Sequence, residues 1–450
     1  MRRKMQVDFL EGGILKNVIL FAIPLILSGI LQLLFNAADI IVVGNFAGSH
    51  EMGAVGSTGS TTNLLISIGI GLSVGLNVVV AQSVGAGNRE MVQRSVHTGM
   101  CLSLAVGLAL GMIGYFCAAS LLRLLSTPLD IIDSATVYLR AYCMGIPFNI
   151  IYNFGSAVLR ANGDTRRPLF FMTIAGVVNV VLNIIFVRQF HLGALGVGIA
   201  TAISQFVSAT LVVCCLLTEQ SVVQLCIKKL RFHKEETFRI MMIGLPAGIQ
   251  SSLFAISNML IQSSVNSFGA DAVAGNSAVM NLEGFIYIAM NSIYQTIVTF
   301  TAQNRGAGKY QRVNKGLVVS MGCVIAIGVI LGSMFQIFPR ELISLYTRDE
   351  KAILYGLIRV PFFALPYCLC GLMETIMGAV RGLGYSMMPL ITSLLGSCFF
   401  RIAWVQTVFA QHRTLQSLYL SYPISWALTA SIHLACFLLV RKKAFQKNTI

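Results

Sequence analysis

Long apolar runs separated by short polar turns succeed one another along this chain, from about residue 15 to about residue 440. A helix needs about 20 mostly apolar residues to cross the hydrocarbon core of a bilayer. Twelve segments qualify: residues 15–43, 54–82, 95–118, 134–159, 168–188 and 194–217, then 239–267, 276–302, 316–338, 353–378, 386–409 and 416–440. The first, second, seventh and eighth exceed that length, which implies tilt or extension beyond the hydrocarbon. The pattern predicts an all-α membrane protein.

Composition agrees. Of 450 residues, 56% are hydrophobic and 11% charged, and mean hydropathy is +0.78. Soluble domains carry about 25% charged residues, because a surface in water must be polar. The formal charge of +15 does not signal a nucleic-acid partner, since the basic residues sit in short clusters between apolar runs and form no phosphate-tracking stripe. The eleven cysteines are scattered, mostly inside apolar segments, and the close pairs Cys214-Cys215 and Cys368-x-Cys370 have neither zinc-ligand spacing nor a histidine nearby. Met1-Arg2-Arg3-Lys4 followed by an apolar run imitates a signal peptide. The run from Ile14 to Gly44 is about twice as long as a signal requires, however, and contains Pro24, Asn36 and Asp39. It reads as a retained first helix.

Lysine and arginine fall mainly on one side of this topology. That side holds Arg2, Arg3 and Lys4, the pair Arg89 and Arg94, and Arg160, Arg166 and Arg167. It also holds the 220–238 linker, the 305–315 turn, Arg381, and a tail ending at Lys447. The opposite loops hold only Arg123, Arg188, Arg340, Arg348, Lys351 and Arg413. The positive-inside rule therefore places both termini and the linker in the cytoplasm.

The chain also repeats itself. Pro24 with Asn36 answers to Pro246 with Asn258, and Ala81-Gln82-x-x-Gly85-Ala86-Gly87 answers to Ala302-Gln303-x-x-Gly306-Ala307-Gly308. Pro147 answers to Pro366, and Arg160, Gly163 and Pro168 answer to Arg381, Gly384 and Pro389, always at an interval of about 220 residues. Six spans per repeat give both halves the same orientation, related by an axis along the membrane normal. The expected organisation is a six-helix lobe over 1–219, a basic linker over 220–238, a second lobe over 239–440 and a tail over 441–450. Rocking of the two pseudo-symmetric lobes about a cleft would give alternating access.

Three of the seventeen acidic residues lie inside spans: Asp39, Glu283 and Glu374. A charge at mid-bilayer costs about 2.5–3.5 kcal/mol on insertion scales. Each must face the protein interior and be offset by a partner, a proton or a bound cation, or else be a helix–helix hydrogen bond or reach water at a span end. Asp39 has Asn36 one turn away. Asn179 and Asn183 share one face of the fifth span, while Asn149 and Asn153, similarly spaced on the fourth, read as ties between helices. Asp39, Asn179, Asn183 and Thr201 would supply oxygens to a hard monovalent cation if spans 1, 5 and 6 meet.

Other motifs fail. Gly306-Ala307-Gly308-Lys309 lacks the first glycine and the trailing hydroxyl of a phosphate loop, and Gly69-x-Gly71 lacks the context of a dinucleotide site. No nucleotide-binding domain is visible, so transport would be powered by an ion gradient or a separate subunit. Methionine and phenylalanine, at 19 and 27 residues, are abundant enough to furnish an adaptable cleft wall.

Asn36-Ala37-Ala38-Asp39, the paired Ala-Gln-x-x-Gly-Ala-Gly segments, Leu159-Arg160-Ala161-Asn162-Gly163-Asp164 and Asn281-Leu282-Glu283-Gly284-Phe285 together resemble the multidrug and toxic compound extrusion (MATE) family, its DinF-like branch most of all. The resemblance covers nearly the whole chain. It implies a twelve-helix fold in two lobes and export of amphipathic organic cations in exchange for Na⁺ or H⁺, without a cofactor. In that branch a coupling-ion site on helices 1, 5 and 6 falls on Asp39, Asn179, Asn183 and Thr201, with Asn36 beside them. Relatives often carry Asp where this chain has Asn183, which leaves Asp39 as the sole carboxylate in the spans of the N-terminal lobe. Glu283, Glu374 and Asn258 are the candidates for a substrate cleft. The alternative is a lipid-linked oligosaccharide flippase of the same superfamily, which would need a cleft rich in Arg or Lys. An intramembrane enzyme would need a nucleophile–base or metal constellation, and none is visible.

Overall fold

The computed structural model describes residues 6–125 and 127–446, with the side chains of the last two left aside. Arg2, Arg3, Lys4 and Lys447 of the orientation argument lie outside the described residues. Among the described residues the chain is helical throughout, with no strand. The helices are α1 (Ile14–Phe46), α2 (Ser49–Ser57), α3 (Gly59–Gly85), α4 (Arg89–Leu124), α5 (Ile132–Ala161), α6 (Arg166–Ile184) and α7 (Gly193–Leu217). After the linker come α8 (Lys234–Asn266), α9 (Ala270–Gly306), α10 (Tyr310–Ile337), α11 (Pro339–Ser344), α12 (Glu350–Phe363) and α13 (Tyr367–Gly382). The last are α14 (Met387–Ser393), α15 (Phe400–Trp404) and α16 (Leu415–Gln446). Single π-helical turns at Ile185–Gln189, Leu394–Phe399 and Val405–Phe409 prolong α6, α14 and α15.

These elements align with the twelve expected spans. Nine rods in the described residues are long and apolar enough to cross a membrane, and α12 with α13 makes a tenth, bent by 47°. The two remaining, α5 and α9, run to 30 and 37 residues but are less apolar. The cause is their position. α5 packs on α3, α4 and α7, and α9 on α10, α12 and α13, so each meets protein over much of its length and needs less hydrocarbon-like surface.

Contacts group the chain into two compact units. One comprises residues up to Val7 with Leu27–Ile249, the other Asp8–Ile26 with the chain from Gln250 onward. Two boundaries thus fall inside helices, in α1 just after Pro24 and in α8 just after Pro246, where the proline removes a ladder hydrogen bond. The internal repeat is visible in the backbone. Left-handed glycines terminate equivalent turns at Gly48 and Gly269 (φ 91° and 95°), Gly87 and Gly308 (67° and 68°), and Gly163 and Gly384 (88° and 82°). Only glycine adopts that conformation without strain.

Close helix packing rests on small residues, as expected where lipid supplies no hydrophobic drive. In the first unit a Cβ on Gly71 or Gly75 of α3 would run into the backbone of α8 around Gly244 and Gly248. Gly107 of α4 likewise abuts Pro147 of α5.

The 159–168 motif proves to be a cap and an ion cluster. The Asp164 carboxylate accepts from the backbone N–H groups of Arg166 (3.0 Å) and Arg167 (3.1 Å), capping α6. Its other oxygen pairs with the Arg167 guanidinium, which also binds Glu219 at the end of α7. Burial presses the Glu219 carboxyl upward, but the hydrogen bond and charge of Arg167 outweigh it and hold the group below its usual 4.5. A depressed carboxyl contributes stability at neutral pH and loses it as pH falls through and below that range. Glu219→Gln is therefore expected to lower stability by about 1 kcal/mol, read by thermal unfolding in detergent, because Arg167 keeps Asp164 as a partner. The wild-type advantage over it should shrink as pH falls below 4.5.

Candidate functional site

Asp39 stands in the second half of α1, two turns before the helix ends at Phe46. The α1–α6 contact that presents it is tight. A Cβ on Gly176 would overlap the ring of Phe35, so only glycine lets α6 seat against α1 one turn before both Asp39 and Asn179. On α6, Asn179 and the fully buried Asn183 project toward α1 and α7.

Four side chains form a continuous chain. The Asn183 amide donates to Asp39 Oδ1 and also to Asn179 Oδ1 at 3.2 Å. Asn179 in turn donates to Thr201 Oγ1 on α7 at 3.3 Å. Both N–H groups of Asn183 are thereby used, and its Oδ1, although buried, has no partner. A buried acceptor in that state has the capacity to take a further donor or a cation. No lysine, arginine or histidine pairs with Asp39 among the described residues; the ion pairs there are all elsewhere. The site is a carboxylate with amide and hydroxyl oxygens around it and no built-in countercharge. Such a set accepts a proton or holds a small hard cation, and suits neither a soft metal nor nucleophilic chemistry. No group of three or more His, Cys, Asp or Glu side chains is placed to hold a metal among the described residues.

Asn36 is not part of the chain. Its side chain is exposed and stands about 60° around α1 from Asp39, outside the hydrogen bond that joins Asp39 to α6. Tyr138 and Tyr142 of α5 were not singled out in the sequence, yet both lie within range of the Asp39 charge. No periodicity distinguishes them from ordinary interior aromatics.

The second unit differs. Glu283 of α9 is gripped by Arg359 of α12 through Nε to Oε1 (2.7 Å) and Nη2 to Oε2 (2.8 Å). The same guanidinium donates to Asn276, and its Cζ lies 3.9 Å from the Phe363 ring centroid. Tyr419 also donates to Asn276 (3.0 Å). Glu283 is therefore already neutralised. Glu374 of α13 is buried, faces Tyr287 and Asn291, and leaves Oε2 without a partner. Asn258, itself exposed, accepts from Arg401 at 3.3 Å.

The repeat makes the asymmetry plain. The interval that relates the left-handed glycines carries Asn179, Asn183 and Thr201 to Phe400, Trp404 and Tyr422, and the interval relating Pro24 to Pro246 carries Asp39 to Ile261. Three aromatic rings and an isoleucine stand where the first unit has its polar chain. Only one copy of the repeat holds this constellation.

Comparison with known proteins agrees with a transporter of this class. The MatE family model matches residues 24–185 and 246–405, one match per repeat. The chain is 30% identical over 388 residues to the probable multidrug resistance protein YpnP of Bacillus subtilis, covering 86% of this chain and 87% of that one. It is 26% identical to the probable multidrug resistance protein NorM of Thermotoga maritima, over 84% and 82% of the two chains. In fold it matches a crystal structure of MATE in the bent conformation, with a TM-score of 0.91 at 19% identity over 99% of each chain. The chain belongs to the MATE family. It is accordingly a multi-span membrane transporter with a twelve-helix, two-lobed fold, and not an enzyme.

Proposed function

We propose that the protein is a secondary active antiporter that exports amphipathic organic cations in exchange for Na⁺ or H⁺ by alternating access, with Asp39 as the coupling carboxylate. The observation that carries this reading is the pairing of an uncompensated, half-buried carboxylate with the unpartnered Asn183 Oδ1 in one hydrogen-bonded chain. Its relatives in Bacillus subtilis and Thermotoga maritima are named as probable multidrug resistance proteins, which supports the substrate class. The arrangement of basic residues supports both termini on the cytoplasmic side, in a cell membrane. The comparisons give the flippase alternative no support.

In the cycle proposed, a cation arriving from outside occupies Asp39 and favours the drug-releasing state, and its release inside resets the protein. Coupling requires the ion and the drug to bind the two states with different affinity, since equal affinity shifts nothing. Glu283 is held by Arg359, which leaves Glu374 as the buried carboxyl able to meet a positive group of the drug. Glu374→Gln should weaken affinity for a cationic dye about tenfold, or about 1.4 kcal/mol, measured as KM in transport, while leaving cation binding at Asp39 intact.

The test is dye counterflow in proteoliposomes with Na⁺ and pH gradients imposed separately. One gradient should drive ethidium accumulation against its own gradient. Accumulation under neither would reject the antiporter reading.

A further inference from the structure

Two helices climb outward from the Asp39–Asn183 hydrogen bond in matching steps. On α1, Asp39 is followed one turn on by Val43 and a further turn on by Ala47. From α6, Asn183 is followed by Val187 and then His191. Val43 and Val187 are fully buried, and they share one apolar cluster with Val42, Val55, Tyr138 and Val197. One turn beyond, the surroundings change. Ala47 and His191 line a cavity of about 370 Å³ with Phe46, Glu51, Leu192 and Gly193, and Phe46, His191 and Leu192 are exposed. A water-accessible vestibule thus stands over the polar chain, separated from it by a single apolar layer roughly 6 Å deep along the helix axis.

The backbone of that layer is irregular. Val187 sits in the π-helical turn Ile185–Gln189, where the Phe190 N–H reaches back to the Ile185 carbonyl at 3.2 Å. Two residues later His191 has φ 54°, the one left-handed non-glycine among the described residues. A π turn holds one residue more than the α ladder around it, and such turns recur at functional positions. Shifting the extra residue along the ladder by one hydrogen bond rotates the side chains it passes by roughly 100°, enough to take Val187 out of the layer. The wall opposite is fixed: Glu51 accepts from the Ala194 N–H (2.8 Å) and from Ser134 (2.7 Å), and so anchors the start of α7. Arg188 covers the Phe46 ring at the rim.

We infer that the coupling cation reaches Asp39 from the outer face by this vestibule, along the α1–α6 seam, through a gate made by Val43 and Val187 and opened by the π turn. The inference rests on the reading of Asp39 as the coupling site. An apolar layer of this depth excludes a bare cation, because dehydrating an ion costs many times thermal energy. The closed layer therefore isolates Asp39 from that side until the turn shifts.

Ion exchange into proteoliposomes without drug tests it, using ²²Na⁺ or an internal pH dye, on wild type, Val187→Ala, Val187→Ile, Asp39→Asn and the Val187→Ala/Asp39→Asn double variant. Thinning the layer with Val187→Ala should raise drug-independent exchange about tenfold, and the double variant should abolish that rise. Val187→Ile, which thickens the layer and retains a full core, should slow exchange while ethidium binding to the purified protein stays unchanged. Exchange at wild-type levels in both Val187 variants, or a leak that survives in the double variant, would overturn the gate. If Asp39→Asn alone keeps full gradient-driven transport, it is the coupling assignment that fails.

Discussion

Asp39→Asn is expected to abolish gradient-driven transport while leaving the protein folded and able to bind dye. Asparagine matches aspartate in shape and can still meet Asn183, so the packing of α1 on α6 around Phe35 and Gly176 is undisturbed. What disappears is the negative charge, and with it the reason for a cation or proton to enter. Coupling of about 1.4 kcal/mol corresponds to a tenfold bias between conformations, and losing it should reduce ethidium accumulation in vesicles by about that factor or more. Asn36→Ala should have little effect, since Asn36 lies outside the hydrogen-bonded chain. Undiminished accumulation by Asp39→Asn would remove the residue from the mechanism.

The largest expected loss of stability lies elsewhere, in the Glu283–Arg359 pair. Removing Arg359 strands a buried carboxylate and takes one donor from Asn276, and it strips the cation from the face of Phe363. Breaking a buried pair from one side costs about 3–5 kcal/mol. Arg359→Met should therefore depress the unfolding temperature sharply in detergent. The double variant Glu283→Gln/Arg359→Met should recover most of the loss, because no charge is then left without a partner. A double variant as unstable as the single one would show that the guanidinium acts through packing and not through charge.

Much of the architecture was legible because a bilayer imposes a simple length and polarity rule. Even α5 and α9, which are not among the nine most apolar rods, were found from their apolar runs. The repeat itself was readable from Pro24 and Pro246 and the glycine turns, since those residue types are demanded by backbone geometry. Asp39, Asn179, Asn183 and Thr201 were legible as types out of place in hydrocarbon, and the structure brings the four together. Their role in coupling is the proposal above.

What was not legible depends on distant pairing or on backbone detail. Glu283 looked like a cleft residue because nothing in the sequence ties it to Arg359, far along the chain. Asn36 looked like a neighbour of Asp39 because helical spacing gives proximity along one face but not which side chain meets α6. The π turn at Ile185–Gln189 left no mark, since its residues are as apolar as those of the helix it extends.

The central claim is that one copy of the repeat holds a cation at Asp39, and direct binding to the purified, drug-free protein tests it most closely. Radioactive Na⁺ binding and proton release to an indicator dye, compared across wild type, Asp39→Asn and Glu374→Gln, separate the two carboxyls. One cation per chain should bind to wild type and Glu374→Gln and none to Asp39→Asn. Binding that survives in Asp39→Asn and is lost in Glu374→Gln would contradict the account and move the coupling site to the other lobe.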